Sequence, residues 1–300
     1  MSRRAEIHRI GFVGLGAMGV PMACNLLARG FGVTGYDVRA DAVAVVEEKG
    51  GLKAPDIAEV ARGADALILM VVNAAQAESV LFDQGAVAAL PPLATVILMS
   101  TCPPAAVERL GQRVVETGRL FVDAPVSGGV AGATAASLTI MAAAPLDVIE
   151  HVMPVLTAMG SKVVHVGEKF GQGAMVKTVN QLLCGVHLAV AAEALSLANK
   201  AGISPEVFLD VLGGSAASSW MLRDRGPRMV QTDPVVTSAV DIFVKDLDIV
   251  LAAGREAKAA LPLAAAAHQM FLATSGRGDG AADDSQVVRA YNALNAPPHG

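Results

Sequence analysis

Residues 171–187 of this 300-residue chain read GQGAMVKTVNQLLCGVH, in which two glycines lead into an apolar run that opens with a lysine and an amide. An α-helix turns about 100° per residue, so Asn180, Gln181, Cys184, His187, Leu188 and Ala191 fall near one stripe with Lys177. A lysine beside an amide can move a proton and orient a polar substrate; the same side chains can also reach water or cap a neighbouring segment. Two other stretches carry groups of the same kind. DAPVSGG, residues 123–129, follows an apolar run and presents Ser127 with the backbone N–H groups of Gly128 and Gly129, which either cradle a carboxylate or form only a turn. FVKDL, residues 243–247, sets Lys245 and Asp246 into an otherwise apolar helical pattern.

Near the N-terminus, Ile10-Gly11-Phe12-Val13 runs directly into Gly14-Leu15-Gly16-Ala17-Met18-Gly19 and then into a helical pattern. G-x-G-x-x-G between a strand and a helix is suited to a pyrophosphate. The first glycine permits a tight turn, the second lets the backbone approach the ligand, and the third allows close helix packing; the helix N-terminus adds free N–H groups and partial positive charge. Asp37 ends the second apolar run 18 residues beyond Gly19, near the spacing of about 20 at which an acid receives the ribose hydroxyls. Its carboxylate accepts from a 2′-hydroxyl and repels a 2′-phosphate. Residues 14–19 with Asp37 therefore predict a dinucleotide site that prefers NAD, while Arg39, two residues on, is a potential phosphate partner that keeps NADP open.

The elements that must position these groups are of two kinds. Up to about residue 166, β-branched or apolar runs at 10–14, 32–37, 66–72, 95–100, 120–123, 137–141 and 162–166 alternate with helical patterns such as PDIAEVARGA, PPAAVERLGQRVVETG and PLDVIEHVMPVLTAMG. That alternation predicts an α/β Rossmann-type domain over 1–167, its mainly parallel sheet covered by helices on both faces. Beyond Gly167 the strand pattern ends. A long helix over 174–200, another opening at Ser204-Pro205, and more at 240–258 and 261–275 predict an all-α domain over 168–294, joined to the first by the long helix. NAPPHG, residues 295–300, reads as a disordered tail.

Composition narrows the function classes. Hydrophobic residues make up 53% of the chain and aromatics only 4%, so small side chains dominate the packing. Residues 84–107 and 124–146 lack charge, but prolines and glycines interrupt both, so neither reads as a membrane span. Arg3-Arg4 is followed by a strand and a glycine turn rather than an export signal's cleavage site, which predicts a cytoplasmic protein. Cysteines 24, 102 and 184 form no close pair, and the six histidines show no ligand spacing, so neither disulfide nor metal is expected. A net charge of −5 argues against a nucleic-acid surface. Small molecules are the expected partners.

Taken together, GFVGLGAMG, DAPVSGG, GQGAMVKTVNQ and KDL, in that order along nearly the whole chain, resemble the motifs of the β-hydroxyacid dehydrogenase family. The resemblance implies that Lys177 is a catalytic lysine, Asn180 a substrate-orienting amide, and Ser127, Gly128 and Gly129 the substrate-carboxylate site. It also implies cofactor contacts at Gly14, Leu15, Gly16, Ala17, Met18, Gly19, Asp37, Val72, Asn73, Thr101 and Lys245. Family subunits pair through the helical half, so a homodimer or homotetramer is implied. Ala136 and Ala144 depart from the pattern, standing where the family often has glycine; altered packing is expected there.

Within the family, NQLLCGVH, SSWMLRDR, SAVDIFVKDLDIV and AADDSQVV resemble the L-threonate branch rather than the 3-hydroxyisobutyrate one. A pocket for a polyhydroxy acid needs polar groups, for which Asn180, His187, Ser219 and Asp241 are candidates; His187 reads equally as a core histidine and Asp241 as a helix-terminal acid. Alternatives are a 3-hydroxyisobutyrate dehydrogenase, a tartronate semialdehyde reductase-type enzyme, and a non-catalytic dinucleotide sensor. The sensor would need the glycines and Asp37 but not Lys177, Asn180 and the Ser-Gly-Gly turn at once. A 6-phosphogluconate-type decarboxylating enzyme has histidine after its catalytic lysine where this chain has Asn180.

Overall fold

A computed structural model describes residues 5–295 of the chain. Arg3-Arg4 and residues 296–300 lie outside the described residues. Asn295, assigned above to the tail, is instead the last residue of helix Val288–Asn295, with its carbonyl accepting from Lys200 Nζ and its amide donating to Ser196 Oγ.

Nine strands are present among the described residues: β1 (Arg9–Val13), β2 (Gly32–Tyr36), β3 (Leu52–Lys53), β4 (Ala66–Leu69), β5 (Thr95–Leu98), β6 (Leu120–Asp123), β7 (Val126–Ser127), β8 (Thr139–Ala143) and β9 (Lys162–Gly167). They order as β3-β2-β1-β4-β5-β6-β8-β7, with β9 on β8. Every pair from β3 to β6 is parallel, whereas β8 runs antiparallel to β6 and β7. The 3-2-1-4-5-6 order is that of a doubly wound Rossmann sheet, and it reverses direction between β1 and β4.

The pleat explains why these runs are apolar throughout. On β4, Ala66 and Ile68 enter one core layer with Ile10, Phe12 and Ile97, while Leu67 and Leu69 enter the opposite layer with Val96 and Leu98. Helices Gly19–Ala28 and Leu146–Met159 cover the first face, and Ile57–Ala61 and Pro104–Glu116 the second. A strand buried on both sides has no polar face to alternate with. The structure also corrects some boundaries. β4 stops at Leu69, so Val72 lies past the strand, and β3 and β7 are additional two-residue strands.

Both departures from the family's glycines are resolved. Ala144 is fully buried just past β8, its N–H bonded to the Gly167 carbonyl. Ala136 sits between helix Gly129–Thr134 and β8 with φ +51°, a left-handed conformation that costs a non-glycine residue about 1 kcal/mol or more. Ala136→Gly relieves that strain, partly offset by the greater freedom of glycine in the unfolded chain. The expected result is a net gain of about 0.5–1 kcal/mol, read as a raised denaturation midpoint; an unchanged or lower midpoint would count against strain at this turn.

Contacts divide the chain into two units, Met1–Lys177 and Thr178–Gly300, and that division falls inside the long helix Gln172–Lys200. The cause is local: the helix's first turn lies on the sheet, where a Cβ on Gly173 would stand 2.5 Å from the Met141 carbonyl oxygen. In the second unit, Leu188, Leu195, Phe243, Leu247 and Phe271 form an apolar core, with Phe243 and Phe271 stacked at 5.0 Å. Helix Trp220–Met229 has a different basis, since Arg225 pairs with buried Asp284 at 2.9 Å and Arg228 with Asp283 at 3.2 Å. Thus SSWMLRDR and AADDSQVV, read separately in the sequence, form one ionic network. Gln172–Lys200 is long and apolar enough to cross a membrane, but half of its most apolar window is buried within the protein, as for a core helix.

Candidate active site

Within the first unit the candidate groups gather at the carboxyl edge of the sheet. Gly14 follows β1, Asp37 follows β2, Val72 and Asn73 lie just past β4, Thr101 past β5, and β6 ends at Asp123, shortly before Ser127. In an open parallel sheet this edge, at the point where strand order reverses, is where a dinucleotide binds.

The glycine loop is built as its spacing requires. Gly14 has φ +94°, and a Cβ there would stand 2.4 Å from the Met70 carbonyl oxygen; a Cβ on Gly19 would stand 1.9 Å from the Gly14 carbonyl oxygen. Gly16 differs, because a Cβ there would meet nothing within 4 Å. The first and third glycines are therefore demanded by the protein's own packing. The second leaves a bare backbone toward open space, the surface a pyrophosphate needs, so these residues fit the cofactor. Leu15, Ala17 and Met18 supply the intervening backbone, and Gly19 opens helix Gly19–Ala28.

Asp37 is tied to this loop. Its Oδ2 accepts from the Leu15 N–H at 2.7 Å and its Oδ1 from the Arg39 N–H at 2.9 Å. The Arg39 guanidinium folds back, 3.6 Å from Asp37 Oδ1 and donating to the Leu15 carbonyl at 3.1 Å. Asn73 caps the following helix by accepting from the Gln76 N–H, and the Val72 N–H donates to Gln76 Oε1. Ser100, which the sequence reading passed over, accepts from the Val71 N–H at 2.8 Å and holds the β4 end to the β5 end.

Gly128 and Gly129 both have positive φ, +130° and +61°, at the start of helix Gly129–Thr134, and a Cβ on Gly129 would meet nothing within 4 Å. Here too backbone faces open space, beside Ser127. Lys177 is buried, in the second turn of Gln172–Lys200. The beginning of that helix is held by Asp123, a residue the sequence reading gave no role. Its Oδ2 accepts from the N–H groups of Gly171 at 3.0 Å and Ala174 at 2.9 Å, and the Gly173 N–H also bonds the carboxylate. Burial pushes the Asp123 carboxyl up to about 7, against these three donors, which favour the anion. An acid ending a fully apolar strand was the available signal.

In the second unit a chain of side-chain bonds joins the other candidates. Asn180 Nδ2 donates to Gln181 Oε1 at 2.9 Å and to Cys184 Sγ at 3.4 Å; Gln181 Nε2 donates to buried Asp246, whose other oxygen accepts from Lys245 Nζ at 2.6 Å. The amide and lysine motifs, far apart in sequence, are thus linked through Gln181 and Asp246. The structure gives Ser219 and Asp241 local bonding: Ser219 caps helix Trp220–Met229 through the Leu222 N–H, and Asp241 Oδ1 accepts from Ser275 Oγ at 2.6 Å. His187 is half-buried on the long helix.

Comparison with known proteins adds to this geometry. Residues 9–167 match the family described as the NAD binding domain of 6-phosphogluconate dehydrogenase, and residues 171–291 match NAD-binding of NADP-dependent 3-hydroxyisobutyrate dehydrogenase. The chain is 44% identical to an L-threonate dehydrogenase of Cupriavidus necator, covering 97% of this chain and 98% of that one. It is 33% identical to a 3-hydroxyisobutyrate dehydrogenase of Pseudomonas aeruginosa, covering 87% and 90%. A crystal structure of a 3-hydroxyisobutyrate dehydrogenase from Salmonella typhimurium superposes with a TM-score of 0.90 at 38% identity, covering 94% of this chain and 99% of that one.

Proposed function

This chain belongs to the β-hydroxyacid dehydrogenase family, and we propose that within it the protein oxidises the 2-hydroxyl of L-threonate to the 2-oxo acid with NAD. The observation that carries the substrate is the 44% identity to an L-threonate dehydrogenase along nearly the whole of both chains. Oxidation of 3-hydroxyisobutyrate is the second reading, supported by the Pseudomonas relative and the Salmonella structure.

In the proposed reaction, Ser127 and the N–H groups of Gly128 and Gly129 hold the substrate carboxylate. The amide of Asn180 orients the hydroxyl, and Lys177 accepts its proton as the C2 hydride leaves. Residues 14–19 and Asp37, with Thr101 and Lys245, hold NAD, which supplies the hydride acceptor when bound. In the reverse direction Lys177 returns the proton to the developing alkoxide. The test is NADH formation from L-threonate by the purified protein; cofactor binding without turnover of any hydroxy acid would favour a sensor instead.

NAD is preferred over NADP in this reading because Asp37 presents a carboxylate where a 2′-phosphate would lie and holds Arg39 turned back upon the loop. The expected preference in kcat/KM is at least about tenfold, since like charges brought together cost several kcal/mol. Asp37→Ala relaxes the preference, mainly by raising KM for NAD, as it also frees the Leu15 N–H. Wild-type protein that favours NADP would show that Arg39 decides.

Pairing of two copies through the helical half, as a homodimer or homotetramer, is part of the proposal. Val176, Leu183, Val190 and Leu197 support it, since they lie seven residues apart along Gln172–Lys200 and leave an exposed apolar ridge.

A further inference from the structure

We propose that Asp123 is a positioning residue for the reaction: its carboxylate, reaching from the end of β6, anchors the helix that carries Lys177 and fixes its first turn against the segment leading to Ser127. This rests on the reading of Lys177 as the proton-transfer residue. Helices are ordinarily capped by a Ser, Thr, Asp or Asn just before their first turn. Here that stretch is Gly171-Gln172-Gly173, and its N–H groups are satisfied from a strand 48 positions earlier. The fit is close, because a Cβ on Gly173 would stand 2.8 Å from the Asp123 carbonyl oxygen and 3.0 Å from its carboxyl carbon. The same residue therefore sets two things. Four positions after it comes Ser127, and three positions after its last bonded amide, Ala174, comes Lys177.

The charge of Asp123 also bears on the lysine. Neighbouring strands β5 and β8, with sequences TVIL and TIMAA, carry no ionisable group. Helix Pro104–Glu116 brings Glu108 beside Gly171, and along Gln172–Lys200 the first ionisable side chain after the anchored amides is Lys177. An anion at a helix N-terminus offsets the positive end of the helix dipole and favours a nearby ammonium. Removing it makes the lysine easier to deprotonate.

The experiment compares Asp123→Asn and Asp123→Ala, each alone and combined with Lys177→Ala, by steady-state kinetics across pH. Asp123→Asn keeps an oxygen for the Gly171 and Ala174 N–H groups but loses the charge. It should hold KM for NAD, retain most of kcat, and move the rise of the oxidation rate with pH to lower pH. Asp123→Ala should lower kcat about tenfold or more, a fraction of the roughly 10² that a 1 Å misplacement costs. In the Lys177→Ala background Asp123→Asn, which keeps the hydrogen-bonding oxygen, should leave the residual rate and its pH dependence unaltered. An unmoved pH profile in Asp123→Asn overturns the proposal, as does an equal loss from Asp123→Asn with Lys177 already gone. Lys177→Ala that retains its kcat overturns the reading of Lys177 and this proposal with it, whereas a large Lys177→Ala loss with a persisting Asp123→Asn effect overturns only the positioning role. If Asp123→Ala does not fold, the Asp123→Asn profile decides.

Discussion

Lys177→Ala is expected to lower kcat by about 10² or more while leaving NAD binding nearly intact. General acid–base catalysis by a placed side chain contributes about 10²–10⁴, and no other lysine lies within the first three turns of Gln172–Lys200. The cofactor loop, by contrast, is built on β1 and β2 and is held by the packing of Gly14 and Gly19 and by Asp37, which accepts from the Leu15 N–H. The loss should therefore appear in kcat and in kcat/KM for the hydroxy acid, with the affinity for NADH unchanged in a fluorescence titration. An amine in water titrates near about 10.4, so the wild-type rate of oxidation should rise with pH and the residual rate of the variant should not. A variant keeping most of its kcat would remove Lys177 from the chemistry.

The second large effect is in substrate choice. L-threonate should be turned over with a kcat/KM at least about a hundredfold above that for 3-hydroxyisobutyrate. The two acids differ in that one carries hydroxyls where the other carries a methyl. A site equipped to hydrogen-bond those hydroxyls leaves its own polar groups unpaired when the smaller acid enters, and such sites reject the wrong ligand by up to about 10⁴. In the proposed reaction Asn180 faces the substrate, and its amide is joined through Gln181 to buried Asp246, which holds it in place. Comparable kcat/KM for the two acids in parallel assays would contradict the L-threonate assignment and leave the family membership untouched.

What could be read from sequence was whatever has a local cause. β1, β4 and β5 are buried on both faces, so apolarity alone marks them. The glycine loop is legible because its three glycines fall within six residues and Gly19 answers to the Gly14 carbonyl, although Gly14 itself is crowded by Met70, just past the neighbouring strand β4. β3 and β7 left no signal, as two residues carry no period and are strands only through their partners. Helix Trp220–Met229 was hidden for a different reason: it contains Gly226 and Pro227 and few apolar residues, and ionic bonds to Asp283 and Asp284 hold it. Asp123 and Gln181, quoted within the motifs, received no role there because their bonds reach 48 and 65 positions along the chain. The periodic pattern changes at Gly167, while the first turn of the next helix still packs on the sheet.

The anchoring of the long helix by β6 also changes how its first turn exchanges amide hydrogens with solvent. At a helix start the leading N–H groups bond to a nearby capping side chain or to water and exchange through fraying of the helix end alone. Those of Gly171 and Ala174 instead donate to a buried carboxylate on the sheet, so exposing them means parting the helix from the strand edge. Exchange at these two positions then follows the opening of the sheet rather than fraying of the helix, and the end that would ordinarily loosen first is among the last to let go.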